Sequence, residues 1–566
     1  MTTGQQSSGT SGLTAELECD IAVWTEQDPD PATVTAVHDL LSRARSGEQD
    51  AVAELTDAFG GRLQFGTAGL RGALGPGPRR MNRVVVGQAA AGLARYLLDQ
   101  GQAGGRVVIG YDARHNSDVF ARDTAEILAG AGFDALLAEA PLPTPVLAFA
   151  IRHLDCVAGV VVTASHNPAR DNGYKVYLGD GSQIVPPADA EIADRILKVT
   201  AHPLDDVPRS SAFTVLGTDV VEAYLDRLVS LVPAEAPRDL SWAYTAMHGV
   251  GADVVMAAVQ RLGFPSPSVV PEQQHPDPDF PTLAFPNPEE PGAMDLVLAV
   301  AERESVDVVI ANDPDADRCA VAVPGGEPGQ PSWHVLRGDE LGALLADDLL
   351  RRGVEGVYAC SIVSSSLLAS MAAAHGQPFV ATLTGFKWIG RVPGLAVGYE
   401  EAIGYCVDPS AVPDKDGISA LVRVLALAAA LKADGHTLAD RLDQITRTYG
   451  VHATDQLSVR VSDLSVISDA MARLRAEPPQ TLLGEPVRVI DLATGSEDLP
   501  STDGIRLLAD SVTVVVRPSG TEPKLKCYLE SRIPVADSQD VAVARSEARR
   551  RLDQVRAEVT AALGLG

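Results

Sequence analysis

One recurring feature limits how this chain can fold: short apolar runs that break off abruptly into small, polar loops. Such breaks fall at Tyr111, Thr163, Met247, Asn312 and Tyr399. Longer segments between them read as helices, among them Val84 to Gln100, Ala121 to Ala131 and Asp219 to Leu231. This alternation predicts α/β units with parallel or mixed sheets. Ligands of such sheets bind beyond the carboxyl ends of strands, so loops of several units can face one cleft. At 566 residues the chain exceeds one ordinary domain; a prior of about 150 residues per domain predicts three to four. No fixed-period repeat is visible in the sequence.

Composition removes several function classes. Hydrophobic residues make up 46%, enough for a large core. No apolar run reaches the roughly 18 residues of a membrane helix, so no membrane association is expected. The start, MTTGQQSSGTSG, is Gly/Ser/Thr/Gln-rich and predicts disorder; it lacks the basic start and apolar core of a secretory signal. Six cysteines without paired spacing suggest reduced thiols and a cytoplasmic protein. A formal charge of −29 argues against nucleic acid as partner. An anionic small substrate stays open, because Lys and Arg need only cluster locally.

Four stretches carry chemistry. In VVVTASHNPARDNGYK (160–175) a buried strand is expected to deliver Ser165 to an exposed tip, with Thr163, His166 and Asn167 around it and Pro168 stiffening the exit. A Ser-His pair alone is more often an ordinary turn. In DPDADR (313–318) Asp313, Asp315 and Asp317 stand at alternate positions, where they repel unless a cation lies between them. Hard oxygen ligands favour Mg²⁺ or Ca²⁺; the bland alternative is a solvated acidic loop. An EF-hand is excluded, because Arg318 and Pro324 occupy its required Gly and Glu positions. A haloacid-dehalogenase phosphatase would need a small hydroxyl residue where Asp317 stands. RPSGTEPKLK (517–526) joins Arg517, Ser519, Gly520, Thr521, Lys524 and Lys526 in a turn suited to an anion nest, although a bland basic hairpin has the same composition. GYEEAIGY (398–405) sets Glu400 and Glu401 on a loop after an apolar strand, where carboxylates can accept hydrogen bonds from sugar hydroxyls; paired surface glutamates are otherwise mostly solvation.

Taken together and in this order, TASHNP…NGYK, DPDADR, TGFKWIG, GYEEAIGY and RPSGTEPKLK resemble the blocks of the α-D-phosphohexomutase superfamily from Leu63 to about Glu530. The stretches TGFKWIG, YTAMHGVG and FPNPEEPG are most similar to its phosphoglucomutase/phosphopentomutase branch. The resemblance implies three similar α/β mixed-sheet domains and a C-terminal α+β phosphate-clamp domain around one central cleft. The expected division is an N-terminal extension at 1–60, domain I at 61–215, domain II at 216–330, domain III at 331–449 and the clamp domain at 450–566.

It also implies the parts. Ser165 carries the transferred phosphoryl group beside His166, and Mg²⁺ sits on Asp313, Asp315 and Asp317 against Ser165. Lys175 moves the proton and Arg71 supplies charge, since a guanidinium of pKa about 13 is a poor base. Arg318, Thr384, Gly385, Lys387, Glu400 and Glu401 meet the sugar, and Arg517, Ser519, Gly520, Thr521 and Lys526 hold its other phosphate. Many members have Ser where this chain has Ala402, which removes one expected sugar contact. The implied activity interconverts hexose 1- and 6-phosphates of glucose or mannose through a sugar 1,6-bisphosphate, in a monomer or homodimer. Pentose phosphates are the alternative substrate. Hydrolysis by a metal-dependent phosphatase is the alternative chemistry, which a clamp for a second phosphate disfavours. His115 and His248, also in loops, are expected to make structural hydrogen bonds.

Overall fold

The apolar runs become the centres of sheets. In the strand Arg106–Tyr111 every residue after Arg106 is buried, as in a parallel sheet covered on both faces. The computed structural model describes residues 13–66, 69–325, 332–461, 463, 465–495, 499–519, 524–536 and 540–564.

The first sheet holds Asp134–Ala138, Arg106–Tyr111 and Ala158–Val162 in parallel, then Asp171–Leu178 antiparallel, with Gly69–Ala73 and Thr214–Leu216 at the edges. The second holds Ser268–Val269, Trp242–Thr245 and Val308–Ala311 in parallel, then Ala320–Pro324 and Trp333–Val335 antiparallel. The third holds Phe379–Thr382, Val357–Ser361 and Leu395–Glu400 in parallel, then Gly404–Cys406 antiparallel. One order therefore recurs three times. Counting the core strands of each unit along the chain, the sheet reads second, first, third, fourth, and the fourth runs antiparallel. The connection from third to fourth strand is residues 163–170, 312–319 and 401–403 in turn. These are the serine loop, the aspartate loop and the glutamate loop.

The first three units share one hydrophobic cluster, with Leu147, Trp242, Tyr358 and Leu421 among its members. Helix Gly417–Ala433 runs through it, and Asp416 caps its start by accepting from the Ile418 and Ser419 amides. The fourth unit is an antiparallel sheet of five strands carrying helices Ser465–Ala476 and Val541–Leu563, with its own apolar core. It meets the third unit through Ile362, Val363, Leu383, Val515 and Tyr528. A polar seam adjoins this contact. Glu530 accepts from Ser365 Oγ at 2.9 Å and the Ser366 amide at 2.8 Å, and His452 Nδ1 stands 3.2 Å away.

Helices Ala15–Gln27, Pro31–Arg45 and Gln49–Phe59 pack together and against Val84 and Leu204 of the first unit. The second and third of these helices are separated at Gly47, with φ 96°. Among the described residues, no helix is long and apolar enough to cross a membrane.

Candidate active site

The serine loop departs from expectation in one respect. Ser165 is not at an exposed tip: it is 2% exposed, because the aspartate loop of the second unit covers it. Its hydroxyl donates to Asp313 Oδ2 at 2.8 Å and lies 3.2 Å from His166 Nδ1. Its amide donates to Thr163 Oγ1 at 2.9 Å, in a tight turn that leaves Ser165 at φ 52°. Burial first, then the charges of Arg318 and Arg71, push the His166 imidazole well below its usual range, so the ring beside Ser165 is neutral.

Asp313, Asp315 and Asp317 each offer an oxygen, all within 4.8 Å of one another, and all three residues are buried. Asp315 Oδ2 accepts from Lys175 Nζ at 2.7 Å and Thr144 Oγ1 at 2.7 Å. Asp317 Oδ2 lies 3.1 Å from Lys175 Nζ and 3.3 Å from Lys415 Nζ. Burial, then repulsion from Asp315 and Asp317, pushes the Asp313 carboxyl well above the usual range. Burial also opposes ionising Asp315, but Lys175, Asp313 and Thr144 outweigh it and hold that carboxyl low. Burial disfavours the Lys175 ammonium, yet Asp315 and Asp317 raise its pKa. Asp315 Oδ1 and Asp317 Oδ1 are buried without a hydrogen bond. Two orphaned carboxylate oxygens beside a repelling third are a set that a hard divalent cation fits.

Arg318 ties this centre to the third unit. Its guanidinium donates to the Ala402 carbonyl, and lies 3.9 Å from Glu400 Oε1, 3.7 Å from Asp317 Oδ1 and 4.0 Å from Glu289 Oε2. Burial raises the Glu400 pKa, opposed by Arg318 and Lys415. Glu401 turns aside and accepts from Ser361 Oγ at 2.9 Å and Ser364 Oγ at 3.4 Å. Arg71 is exposed and donates to Asn167 Oδ1 at 3.2 Å. Direct contacts thus join Ser165, His166, Lys175, the three aspartates, Arg318 and Glu400.

The remaining predicted residues stand further out. Gly385, with φ 103°, opens the short helix Phe386–Ile389 immediately after Thr384. Lys387 has Asp189 and Arg391 as charged neighbours, and the adjacent Phe386 ring lies 5.7 Å from Lys415 Nζ. Arg517 pairs with Lys526 across Val512–Pro518 and Lys524–Ile533, and the Ser519 amide donates to the Lys524 carbonyl at 2.8 Å. Gly520 and Thr521 lie outside the described residues. His115 and His248 make the structural contacts expected of them, to Asp279 at 2.8 Å and Thr282 at 2.7 Å.

Sequence reasoning missed Thr144, Lys415 and Glu289. Lys415 comes from PDKDG in the third unit, where neither spacing nor composition points to Asp317. Glu289 comes from the Pro-rich loop 276–294 of the second unit. Its side chain remains 40% exposed; the cleft walls, with Glu401 and Glu400, raise its carboxyl, while Arg318 and Lys526 oppose this. Glu289, Arg337, Asp339, Glu401, Thr454 and Tyr528 line a cavity of about 390 Å³ between the second, third and fourth units.

A buried serine on a carboxylate triad, set where three sheets of one topology meet and flanked by a fourth antiparallel unit, defines an α-D-phosphohexomutase, a class that moves a phosphoryl group between positions of a sugar. Family models for phosphoglucomutase/phosphomannomutase match the chain in sequence: alpha/beta/alpha domain I at residues 62–202, domain II at 222–326, domain III at 337–449 and the C-terminal domain at 458–548. The chain belongs to the phosphoglucomutase/phosphomannomutase family. A Haemophilus influenzae protein named "Probable phosphomannomutase" is 50% identical over 458 residues, spanning 80% of this chain and 93% of that one. Human phosphopentomutase is 34% identical and 93% of each chain is covered. A Burkholderia thailandensis protein of the same family shares the fold with TM-score 0.68 at 20% identity, over 89% of this chain and 98% of its own.

Proposed function

We propose that this phosphosugar mutase interconverts hexose 1-phosphate and hexose 6-phosphate, of glucose or mannose, through phosphorylated Ser165 and a sugar 1,6-bisphosphate. The observation that carries the reading is the Ser165 hydroxyl held 2.8 Å from Asp313, inside a buried carboxylate triad. A solvated acidic loop would not bury all three carboxylates or leave two oxygens orphaned.

Asp313, Asp315 and Asp317 would hold Mg²⁺, which when bound polarises a phosphoryl oxygen as a Lewis acid. The chain supplies the rest. A sugar hydroxyl attacks phosphorus as the bond to Ser165 Oγ breaks. The Lys175 ammonium, held by Asp315 at 2.7 Å, gives a proton to the Ser165 oxygen that leaves and takes up the one released by the attacking sugar hydroxyl; in the return step the same exchange runs from the attacking Ser165 hydroxyl to the leaving sugar oxygen. His166 holds the serine oxygen in line, and Arg71 and Arg318 balance charge on the transferring group. Glu400 and Glu289 face the sugar. Arg517, Ser519 and Lys526 hold the phosphate that does not react, which exchanges places with the reacting one when the bisphosphate turns round.

The hexose reading rests on the phosphomannomutase relative; the likeness to human phosphopentomutase favours pentose phosphates as the second reading. A panel separates them. The protein is incubated with Mg²⁺, trace sugar 1,6-bisphosphate and the 1-phosphate of glucose, mannose or ribose. Hexose 6-phosphate without free phosphate is expected. Conversion of ribose 1-phosphate alone would replace hexose by pentose, and release of free phosphate alone would make the protein a hydrolase.

A further inference from the structure

Arg114 belongs to none of the groups that meet the phosphoryl centre, yet it is 4% exposed and spends its donors on one loop. Nη2 donates to the Ser165 carbonyl at 2.7 Å and the Asn167 carbonyl at 2.5 Å. Nη1 donates to the Pro168 carbonyl at 2.8 Å and the Asp171 carbonyl at 3.1 Å. Asp112 Oδ2 lies 3.3 Å from its Nε. One face of the guanidinium rests on the Phe280 ring, 4.9 Å from its centroid. Phe280 is 3% exposed and belongs to the loop 276–294 of the second unit, the unit that carries the three aspartates.

The loop needs this help. Residues 163–170 leave the sheet, so their carbonyls lose the ladder. Backbone amides reach Ala164 O and Pro168 O, while the Ser165 and Asn167 carbonyls meet the guanidinium. Ser165 also sits at φ 52°, a left-handed conformation that a serine keeps only where its surroundings enforce it. A planar fork of five donors can span several carbonyls at fixed angles, which an ammonium cannot.

We propose that Arg114 is the positioning residue of the serine loop. Its guanidinium holds four carbonyls in one fan and, through Phe280, registers that fan on the second unit, so that Ser165 Oγ meets Asp313 and Asn167 meets Arg71. This rests on the reading of Ser165 as phosphoryl carrier, and Ser165→Ala is therefore run beside it. If Ser165→Ala keeps full turnover, the carrier reading fails; if it loses turnover while Arg114 variants do not, only the positioning proposal fails.

Arg114→Lys keeps the charge and loses the fork. Its kcat is expected to fall about 100-fold, as for an ångström-scale misplacement of a reacting group, with KM for the sugar 1-phosphate within about threefold. Phosphate incorporation into Ser165 from the bisphosphate slows in parallel. In Arg114→Ala, guanidinium ion at about 20 mM, far below the molar range in which it denatures, restores at least a tenth of wild-type kcat, while equal potassium chloride does not. A kcat for Arg114→Lys within threefold of wild type, or no guanidinium rescue, overturns the proposal. Should both variants fail to fold, Phe280→Leu strips one face of the guanidinium and leaves its donors. A three- to tenfold loss of kcat at constant KM then supports the proposal, and an unchanged kcat overturns it.

Discussion

Ser165 combines three conditions that rarely meet in one residue: burial, a left-handed backbone and a hydrogen bond to a carboxylate of another domain. Ser165→Ala is expected to remove nearly all turnover. It also takes the donor from buried Asp313, so a stability cost of about 1–2 kcal/mol accompanies it, more than a surface substitution would cost. Far-UV circular dichroism should be unchanged and a phosphopeptide containing Ser165 should vanish from the mass spectrum; a phosphate that persists elsewhere in an active variant would sink the assignment. Asp315→Asn removes one charge from the triad and alters the partner of Lys175. The Mg²⁺ concentration for half-maximal activity should rise at least about tenfold; an unaltered Mg²⁺ dependence would place the metal elsewhere. The motif Asp313–Arg318 was legible because three alternating carboxylates are costly to place together without a cation. Arg114 was not legible. In RVVIGYDAR it is one basic residue at a strand's polar mouth, and its partners are carbonyls, which leave no trace in side-chain identity.

At the level of elements, the proposed phosphate clamp is a pair of strands. Arg517 and Lys526 face each other across Val512–Pro518 and Lys524–Ile533, and alternation puts both side chains on the same face of the sheet. Their charges act on Tyr528 and Glu289, which line the cavity between the units. Arg517→Ala should therefore weaken sugar-phosphate binding by about 10- to 150-fold, equivalent to ~1.5–3 kcal/mol for a charged hydrogen-bonded contact. KM should rise while the Mg²⁺ dependence holds; a constant KM would remove Arg517 from the clamp. The strands themselves were readable from period and apolar content. The burial of Ser165 was not, because the lid over it is a loop from a unit 148 positions further along the chain.

For the whole molecule, a single residue joins the third unit to the clamp. Helix Leu438–Tyr449 ends at Gly450 and strand Val451–Arg460 begins beyond it. Gly450 has φ 90°, and a Cβ there would come within 2.8 Å of the Ile533 carbonyl, so only glycine is at ease. A hinge between the third unit and the clamp thus has one position open to it, since its flanks are helix and strand. A domain that closes on substrate and loosens while the bisphosphate turns should show slower hydrogen exchange at residues 517–519 and 524–526 and around Gly450 when sugar phosphate is added. Small-angle scattering should show compaction; protection at the clamp strands alone, without compaction, would leave a rigid cleft. Three similar units were legible in the sequence only through the resemblance its motifs carry, not as a repeat. Each strand order is fixed by which faces its apolar residues cover, and many residue choices satisfy that without any period.

The three equivalent connections also set an order of events in time. Synthesised from the amino end, the chain completes the serine loop well before the aspartates, and the aspartates well before Glu400. Ser165 without Asp313 is an ordinary hydroxyl, and Arg318 without the third unit has no Ala402 carbonyl to hold it. If Ser165 carries the phosphoryl group as proposed, a nascent chain cut short before Glu400 is expected to take none from a sugar bisphosphate. On the proposed mechanism, unfinished copies are expected to be inactive until the third hairpin closes on the first two.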